Sequence, residues 1–276
     1  DVLTYYDHIF PLAPGSYTDL NDDPAAVHER QHYRLMYWRD GFISYRRFFS
    51  INGLAGVRQE DEDVFNATHS CLRELVGEGL IDGVRVDHPD GLTDPFGYLT
   101  RLRELIGPDT WLIVEKILAA DEPLDPPLDI HGTTGYDALR EFDGVFVNAN
   151  AAGALGELAR EYSGSTWDAD AVAAAEWELK ARIANEELAP EVRRLARSVR
   201  RDNQATSPAT SDVTDAELTE VLVALVARMP VYRADYRCLS RVTPTLIAQL
   251  AELGHNPAAL DPVSYTHLTL PTKRIV

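Results

Sequence analysis

The chain has 276 residues, of which 45% are hydrophobic and 25% are charged, and its formal net charge is -18. This composition is typical of a globular protein with one large domain or two smaller ones. The acidic excess argues against a nucleic-acid partner, because phosphate backbones attract basic surfaces, and the sequence has no apolar run long enough to span a membrane.

The two cysteines give no sign of a metal site or a disulfide framework. Cys71 and Cys238 stand in HSCLREL and DYRCLSR, without metal-ligand spacing, so we expect free thiols in a reducing, cytoplasmic compartment. The sequence begins in mid-pattern without Met, and we therefore expect that the true N-terminus lies further upstream.

The first 61 residues indicate short strands and irregular segments. Residues 1–40 combine short aromatic stretches with Pro11 and Pro14, which predicts a partly stranded segment. ISYRRFF at 43–49 is rich in aromatic residues and lies between Gly41 and the Asn52-Gly53 pair. This pattern predicts a strand over 43–49.

Residues 62–117 predict the order helix, strand, helix, strand. Apolar residues at helical spacing indicate one helix over 62–76, and the β-branched run GVRVD indicates a strand at 83–87. Asp94 followed by Pro95 is a helix start. WLIVEKI at 111–117 is almost continuously apolar, which predicts a strand buried on both faces.

This alternation is typical of a parallel α/β fold, and we predict a partial (β/α)₈ barrel with a mainly helical insertion. The predicted domains are a partial catalytic barrel over 1–150, a helical subdomain over 151–262 and a non-native tail over 263–276. The tail resembles translated sequencing adaptor, although a genuine, unusual terminus is the alternative.

The helical subdomain has its own start and stop signals. The Ala-rich stretch 167–199 contains Pro190, which predicts a break or kink, and the polar residues 202–213 predict a loop. Thr214 and Glu217 form the pattern of a capping box, and Thr243-Pro244 predicts a further helix start.

Two carboxylates follow neighbouring predicted strands. Asp87 ends one strand and Glu115 lies near the end of the next. Since adjacent strands are about 4.8 Å apart, this pair suits a retaining glycosidase, which needs carboxyl groups about 5–5.5 Å apart. Arg85 should share a face with Asp87 and favour its ionised form. Solvated strand ends and a structural ion pair are the alternatives.

The motifs around these residues resemble those of the α-amylase clan. GVRVDHPDGLTDP and WLIVEKIL are similar to its second and third conserved regions, at 83–95 and 111–118. The match to the maltooligosyl trehalose synthase family within that clan rests on further segments: YYDHIFPLAPGSY, QHYRLMYWR, SYRRFFSINGLAGVRQED, HGTTGYD and MPVYR.

The resemblance implies a role for each matching residue. Asp87 would be the nucleophile, Glu115 the acid/base, and Arg85 the partner of Asp87. The implied sugar contacts are His88, Arg46, Arg47, Tyr136 and Asp137. Loop packing is the alternative role for Tyr136, and salt bridging is the alternative for the two arginines.

The chain also departs from the family pattern. Gly53 and Thr93 stand where the resemblance leads us to expect Asp and Tyr, which places local subsites in doubt. The further catalytic Asp and the first conserved region of the clan have no match here. We therefore expect an internal fragment that is inactive alone.

The function implied by the resemblance is an isomerisation. A retaining double displacement would convert the reducing-end α-1,4 linkage of a maltooligosaccharide into an α,α-1,1 linkage, without a metal or an organic cofactor. A functional pairing with a trehalohydrolase is a further expectation. The alternatives are an α-glucan hydrolase of the same clan, a non-catalytic glucan-binding protein and an unrelated α/β domain.

Overall fold

The computed structural model describes residues 2–19, 21–37, 43–165, 168–206 and 213–269. Two compact units divide the chain, residues 1–42 and residues 43–276. This division falls elsewhere than the domain boundaries expected from the sequence at 150 and 262, which stay predictions.

The first unit is built from a hairpin and a short helix. Strands β1 (Val2–Tyr5) and β2 (His8–Pro11) pair antiparallel, which agrees with the partly stranded segment predicted here. Helix α1 (Pro24–Glu29) starts at Asp23, whose carboxylate accepts a hydrogen bond from the Ala25 N–H. Pro24 fits this start because the first helical N–H has no intrahelical partner.

The second unit opens with a hairpin formed by β3 (Arg47–Phe48) and β4 (Ile51–Ala55). The predicted strand over 43–49 is therefore too long. The pairing register shifts between Arg47 and Phe48, and Phe49 adopts a left-handed backbone that turns the chain. Gly41, one of the bounds used for that prediction, lies outside the described residues.

The helix predicted over 62–76 is two helices, α2 (Glu62–Thr68) and α3 (Ser70–Gly77). They meet at His69, whose backbone leaves the helical region. The buried His69 ring makes hydrogen bonds at 2.8 Å to the Phe65 carbonyl and at 2.9 Å to the Tyr98 hydroxyl. These tertiary contacts hold the ring at the break.

A parallel sheet carries the residues of the candidate site. Its strand order is β5 (Gly83–Val86), β6 (Trp111–Val114) and β7 (Gly132–Thr133), with α4 (Pro95–Ile106) between the first two. The N-cap prediction is confirmed, because the Asp94 carboxylate accepts from the Gly97 N–H at 2.9 Å. The helix–strand–helix–strand order is likewise confirmed.

Within the described residues the sheet is small and open, and it is covered on one face. Leu112 and Val114 are buried in a core that also contains α4, whereas Trp111 is 59% exposed. The prediction that residues 111–117 are buried on both faces is therefore wrong, because Trp111 and Ile117, at 59% and 61%, are exposed.

The rest of the unit is helical, with a second hydrophobic core. Its helices are α5 (Tyr136–Gly144), α6 (Ala152–Ser163), α7 (Ala169–Asn185), α8 (Ala189–Thr206), α9 (Asp215–Arg228), α10 (Val242–Glu252) and α11 (Pro257–Thr269).

The start and stop signals in this region are largely as the sequence indicated. The predicted break near Pro190 is confirmed, since α8 begins just before it, and both hydrogen bonds of the predicted capping box are present. The loop expected over 202–213 begins later, because α8 continues to Thr206, and 207–212 lie outside the described residues. Helix α11 crosses the expected tail boundary, and Val263 is buried in the core.

Candidate active site

The site begins where two parallel strands end side by side. Strands β5 and β6 pair in register up to Val86 and Val114, so Asp87 and Glu115 each occupy the next position. The Glu115 N–H donates to the Val86 carbonyl at 2.8 Å, which extends the ladder by one bond. Both carboxylates therefore lie at the same sheet edge, on strands about 4.8 Å apart.

Arg85 holds the carboxylate of Asp87 with two hydrogen bonds. Nε donates to Oδ1 at 2.7 Å and Nη2 donates to Oδ2 at 3.1 Å. The hydrogen bond and charge of Asp87 raise the pKa of the Arg85 guanidinium, and Glu115 and Tyr136 raise it further. Both side chains are 57% exposed, so the pair orients the carboxylate while leaving it open to a ligand.

The backbone of His88 fixes Glu115. The His88 N–H donates to Glu115 Oε2 at 3.1 Å, and His88 has a left-handed backbone with φ of 51°. A non-glycine residue in this region is uncommon and costs free energy, so the surrounding contacts must impose it. The sequence resemblance implied a sugar contact for the His88 side chain. In the structure it is the backbone N–H of His88 that bonds Glu115.

Aromatic rings surround the His88 imidazole beside the carboxylates. Ring centroids lie 5.3 Å away for Phe48, 5.6 Å for Phe49 and 5.7 Å for Tyr232. All three are exposed side chains, and an apolar surface with polar groups at one end suits a pyranose ring. Sequence reasoning did not single out these three residues, although the segments RRFF and MPVYR contain them.

Tyr136 and Asp137 begin α5, directly beyond β7. Tyr136 is close enough to Arg85 to raise its pKa. Asp137 accepts a hydrogen bond from the Thr133 hydroxyl at 3.4 Å, across the loop between β7 and α5. The structure thus brings Tyr136 to the carboxylate edge and gives Asp137 a partner within its own loop.

Comparisons with known proteins support the resemblance seen in the motifs. No protein-family model matches the chain. A Mycobacterium tuberculosis protein named putative maltooligosyl trehalose synthase is 45% identical over 249 residues, which are 90% of this chain and 31% of that protein. The structure of maltooligosyltrehalose synthase from Arthrobacter ramosus superimposes with a TM-score of 0.79 at 37% identity, covering 98% of this chain and 34% of that one.

The chain is homologous to a segment of the maltooligosyl trehalose synthases. A hypothetical maltooligosyl trehalose synthase from Sulfolobus tokodaii is also similar, with a TM-score of 0.69, 30% identity, and coverage of 97% of this chain and 34% of that one. The chain thus spans about a third of the length of the maltooligosyl trehalose synthases it matches. The further catalytic Asp implied by the resemblance stays a prediction.

The two arginines that the synthase motifs indicated as sugar contacts have different surroundings. Arg47 is 5% exposed and forms a bidentate ion pair with Glu191 of α8, at 2.8 and 2.7 Å. Its remaining N–H groups donate to Ser50, Asn52 and Glu187. This geometry favours the salt-bridging role that the sequence left open for Arg47.

Arg46 instead contacts the loop that follows Asp87. Its Nη1 donates to the Thr93 hydroxyl at 3.2 Å. Burial lowers the pKa of the Arg46 guanidinium, and the positive charge of Arg233 lowers it further. A sugar contact for Arg46 stays a prediction, and Thr93, one of the departures from the synthase pattern, is its partner here.

In the ranges that the structure describes, no group of three or more His, Cys, Asp or Glu side chains is arranged to hold a metal ion. None of the helices in those ranges combines the length and the apolar character needed to span a membrane.

Proposed function

We propose that the protein containing this chain is an intramolecular transglucosylase that acts on maltooligosaccharides. It would convert the α-1,4 linkage at the reducing end into an α,α-1,1 linkage. The observation that supports this most directly is the pair of Asp87, held by Arg85, and Glu115, held by the His88 N–H, on adjacent strand ends. The family relationship supports the substrate, because the relatives are named for maltooligosyl trehalose synthesis.

In the first displacement, Glu115 gives its proton to the oxygen of the terminal glycosidic bond while Asp87 attacks the anomeric carbon. The bond to the leaving glucose breaks and a covalent glycosyl–Asp87 ester forms. Two hydrogen bonds from Arg85 keep the Asp87 carboxylate in one orientation during the attack. The longer Glu115 side chain suits the proton donor, since that donor must reach the bridging oxygen.

In the second displacement, the freed glucose stays bound and presents its anomeric hydroxyl. Glu115, now a carboxylate, removes that proton, and the oxygen attacks the glycosyl–Asp87 ester. Asp87 leaves as a carboxylate and the new linkage is α,α-1,1. Two inversions retain the configuration at the donor carbon, and atoms balance without water.

The same steps define what the rest of the site must do. Water would intercept the glycosyl–enzyme and release a shortened glucan, so the site has to be closed during transfer. The hairpin of β3 and β4 brings Phe48 and Phe49 to His88, and Arg47 fastens that hairpin to Glu191 of α8. We infer that the helical region contributes to this closure by holding the hairpin.

Activity would require the longer protein. The open sheet of β5, β6 and β7 fits part of a (β/α)₈ barrel, whose further strands would cover the Trp111 face and supply a third carboxylate. We therefore expect the 276-residue chain to be inactive by itself. The trehalose-ended product is a substrate for hydrolysis at the neighbouring α-1,4 bond, which is the basis for a functional pairing with a trehalohydrolase.

The deciding experiment expresses the longest reading frame that contains this chain and incubates the resulting protein with maltopentaose. The concentrations of reducing ends and of free glucose are then followed over time. The expected result is loss of reducing ends with little glucose released, because transfer blocks the reducing end. A rise in reducing ends would mean an α-glucan hydrolase. Binding of maltopentaose without turnover would mean a glucan-binding protein. Either result would overturn the proposed transfer.

A further inference from the structure

A second set of charged side chains lies behind the strand ends, on the buried face of the sheet. Lys116 follows Glu115 just beyond β6 and continues the alternation of burial there, because Leu112, Val114 and Lys116 are buried whereas Ile113 and Glu115 are partly exposed. Its ammonium lies 2.9 Å from Asp90 Oδ2 and 2.8 Å from Glu122 Oε1. The side chains of Lys116, Asp90 and Glu122 are only 3%, 7% and 1% exposed, so solvent screens these ion pairs little.

The other oxygen of Asp90 also has a partner. The Tyr236 hydroxyl donates to Asp90 Oδ1 at 2.6 Å, and Lys116 Nζ lies 5.0 Å from the centroid of the Tyr236 ring. Burial raises the pKa of Tyr236, and its bond to Asp90 raises it further, so the phenol stays a hydrogen-bond donor. Both oxygens of Asp90 are thus fixed.

Asp90 belongs to the short loop that follows the nucleophile. It lies in a single 3₁₀ turn, Pro89–Gly91, directly after His88. Within this turn the Gly91 N–H donates to the His88 carbonyl, and the Leu92 N–H donates to the Pro89 carbonyl, both at 3.0 Å. These hydrogen bonds make the loop a folded unit, so a displacement of Asp90 would also displace His88.

Arg233 also binds this loop, through its backbone. Its guanidinium donates to the backbone carbonyls of Asp90, Leu92 and Thr93, while Asp235 accepts from it and fixes its orientation. Arg233 binds the backbone of the loop, whereas Lys116 binds the Asp90 side chain. Of these contacts, only the Lys116–Asp90 pair joins the loop to the strand that carries Glu115.

We propose that Asp90, paired with Lys116, is a positioning residue that holds the Asp87–His88 segment against Glu115. This inference rests on the proposed function. The pair ties the segment that contains the nucleophile to the residue next to the acid/base, and the His88 N–H then bonds Glu115. Small displacements of reacting groups, about 1 Å, reduce rates by about 10²-fold.

The test removes the negative charge of Asp90 while keeping the size and shape of the side chain. In the full-length protein, Asp90→Asn retains an oxygen for the Tyr236 hydroxyl and leaves Lys116 paired with Glu122, so the fold should persist. With maltopentaose we expect kcat to fall about 10- to 100-fold while KM stays within about twofold, because the misplaced groups act in the transition state.

Arg103 offers a matched control at the opposite end of the sheet. Its side chain is 11% exposed and donates to the carbonyls of Gly107 and Thr110, before β6 begins. Arg103→Met should lower the melting temperature without changing kcat. Positioning by Asp90 is refuted if kcat in Asp90→Asn stays within about twofold of the wild type, or if Arg103→Met lowers kcat equally.

Hydrogen exchange gives a readout that does not depend on the reaction. The amides of His88, Gly91 and Leu92 should exchange faster in Asp90→Asn and at the wild-type rate in Arg103→Met, because only the first variant loosens the loop. Unchanged exchange in Asp90→Asn would overturn the inference. If the wild type hydrolyses maltopentaose, the proposed transfer fails, and exchange together with the hydrolytic kcat still decides the role of Asp90.

Discussion

The two faces of the sheet edge carry ion pairs of opposite character. On one face Arg85 and Asp87 are each 57% exposed, and on the other Lys116 and Asp90 are 3% and 7% exposed. In both pairs the carboxylate is oriented by a cation. The exposed pair contributes little to stability and stays accessible to solvent and ligands, whereas the buried pair is hard to disrupt without leaving an uncompensated charge.

Along this short segment, the residue proposed to react with the sugar differs from the residue proposed to hold the loop in place. Asp87 and Asp90 are three residues apart in a single loop, yet one faces solvent and the other the core. Variants of the exposed pair should therefore change turnover and leave stability alone. Variants of the buried pair should change stability, and turnover through the position of the loop.

The largest expected effect is on the exposed face. In the full-length protein, Asp87→Asn should lower kcat by about 10⁴-fold or more, because removing a covalent nucleophile leaves only binding and the remaining groups. Its melting temperature should stay close to that of the wild type, since the side chain is exposed. Turnover assays and thermal melts measure both, and retained activity would exclude Asp87 as the nucleophile.

On the buried face, Lys116→Met should destabilise the full-length protein by about 3–5 kcal/mol, because Asp90 and Glu122 would lose their shared cation. Urea unfolding measures the free energy. Arg85→Met is the matched control, since it removes a cation of the exposed pair, and its unfolding midpoint should hardly move. Equal losses in the two variants would contradict the distinction between the faces.

A substitution at Gly91 tests the aromatic group around His88, on the exposed side of the same loop. A Cβ at Gly91 would lie 2.2 Å from His88 Cδ2, so Gly91→Ala should push the His88 ring away from Phe48 and Tyr232. If that aromatic group binds sugar, KM for maltopentaose should rise about tenfold, which corresponds to about 1.4 kcal/mol of binding free energy. Steady-state kinetics measure the change.

The control for that variant is Gly53→Ala. Among the described residues, no atom lies within 4 Å of a Cβ built on Gly53, so KM should stay at the wild-type value. An unchanged KM in Gly91→Ala as well would mean that the aromatic group around His88 does not contact the sugar.

The smallest expected effect concerns Glu217, a half-buried carboxylate in the first turn of α9. The pKa of Glu217 is lowered, first by its bond from the Thr214 N–H and then by bonds from the Thr214 hydroxyl and Asn256. A lowered pKa stabilises the fold above the unfolded-state pKa, about 4.3, and this contribution is lost as the pH falls through the folded-state value. Thermal melts between pH 7 and pH 3 measure this contribution. The melting temperature of the wild type should exceed that of Glu217→Gln at pH 7, and the difference should shrink as the pH falls to 3.

The sequence predicted those features of the site that depend on short-range geometry. Strand alternation placed Arg85 beside Asp87, and the parallel order of the strands placed Asp87 level with Glu115. Helix starts at Asp94 and Thr214 were equally readable, because a side chain there bonds an amide within a few residues. In each case the partners are near in sequence or fixed by one strand pairing.

The tertiary structure alone decided which polar residues face inward. Arg46 and Arg47 were equivalent in the sequence, yet Arg47 bonds Glu191, 144 residues away, and Arg46 bonds Thr93. Lys116 gave no signal, although Asp90, Glu122 and Tyr236 from three separate segments surround it. The reason is physical, because burial and charge pairing depend on which distant segments meet, and local spacing does not encode that.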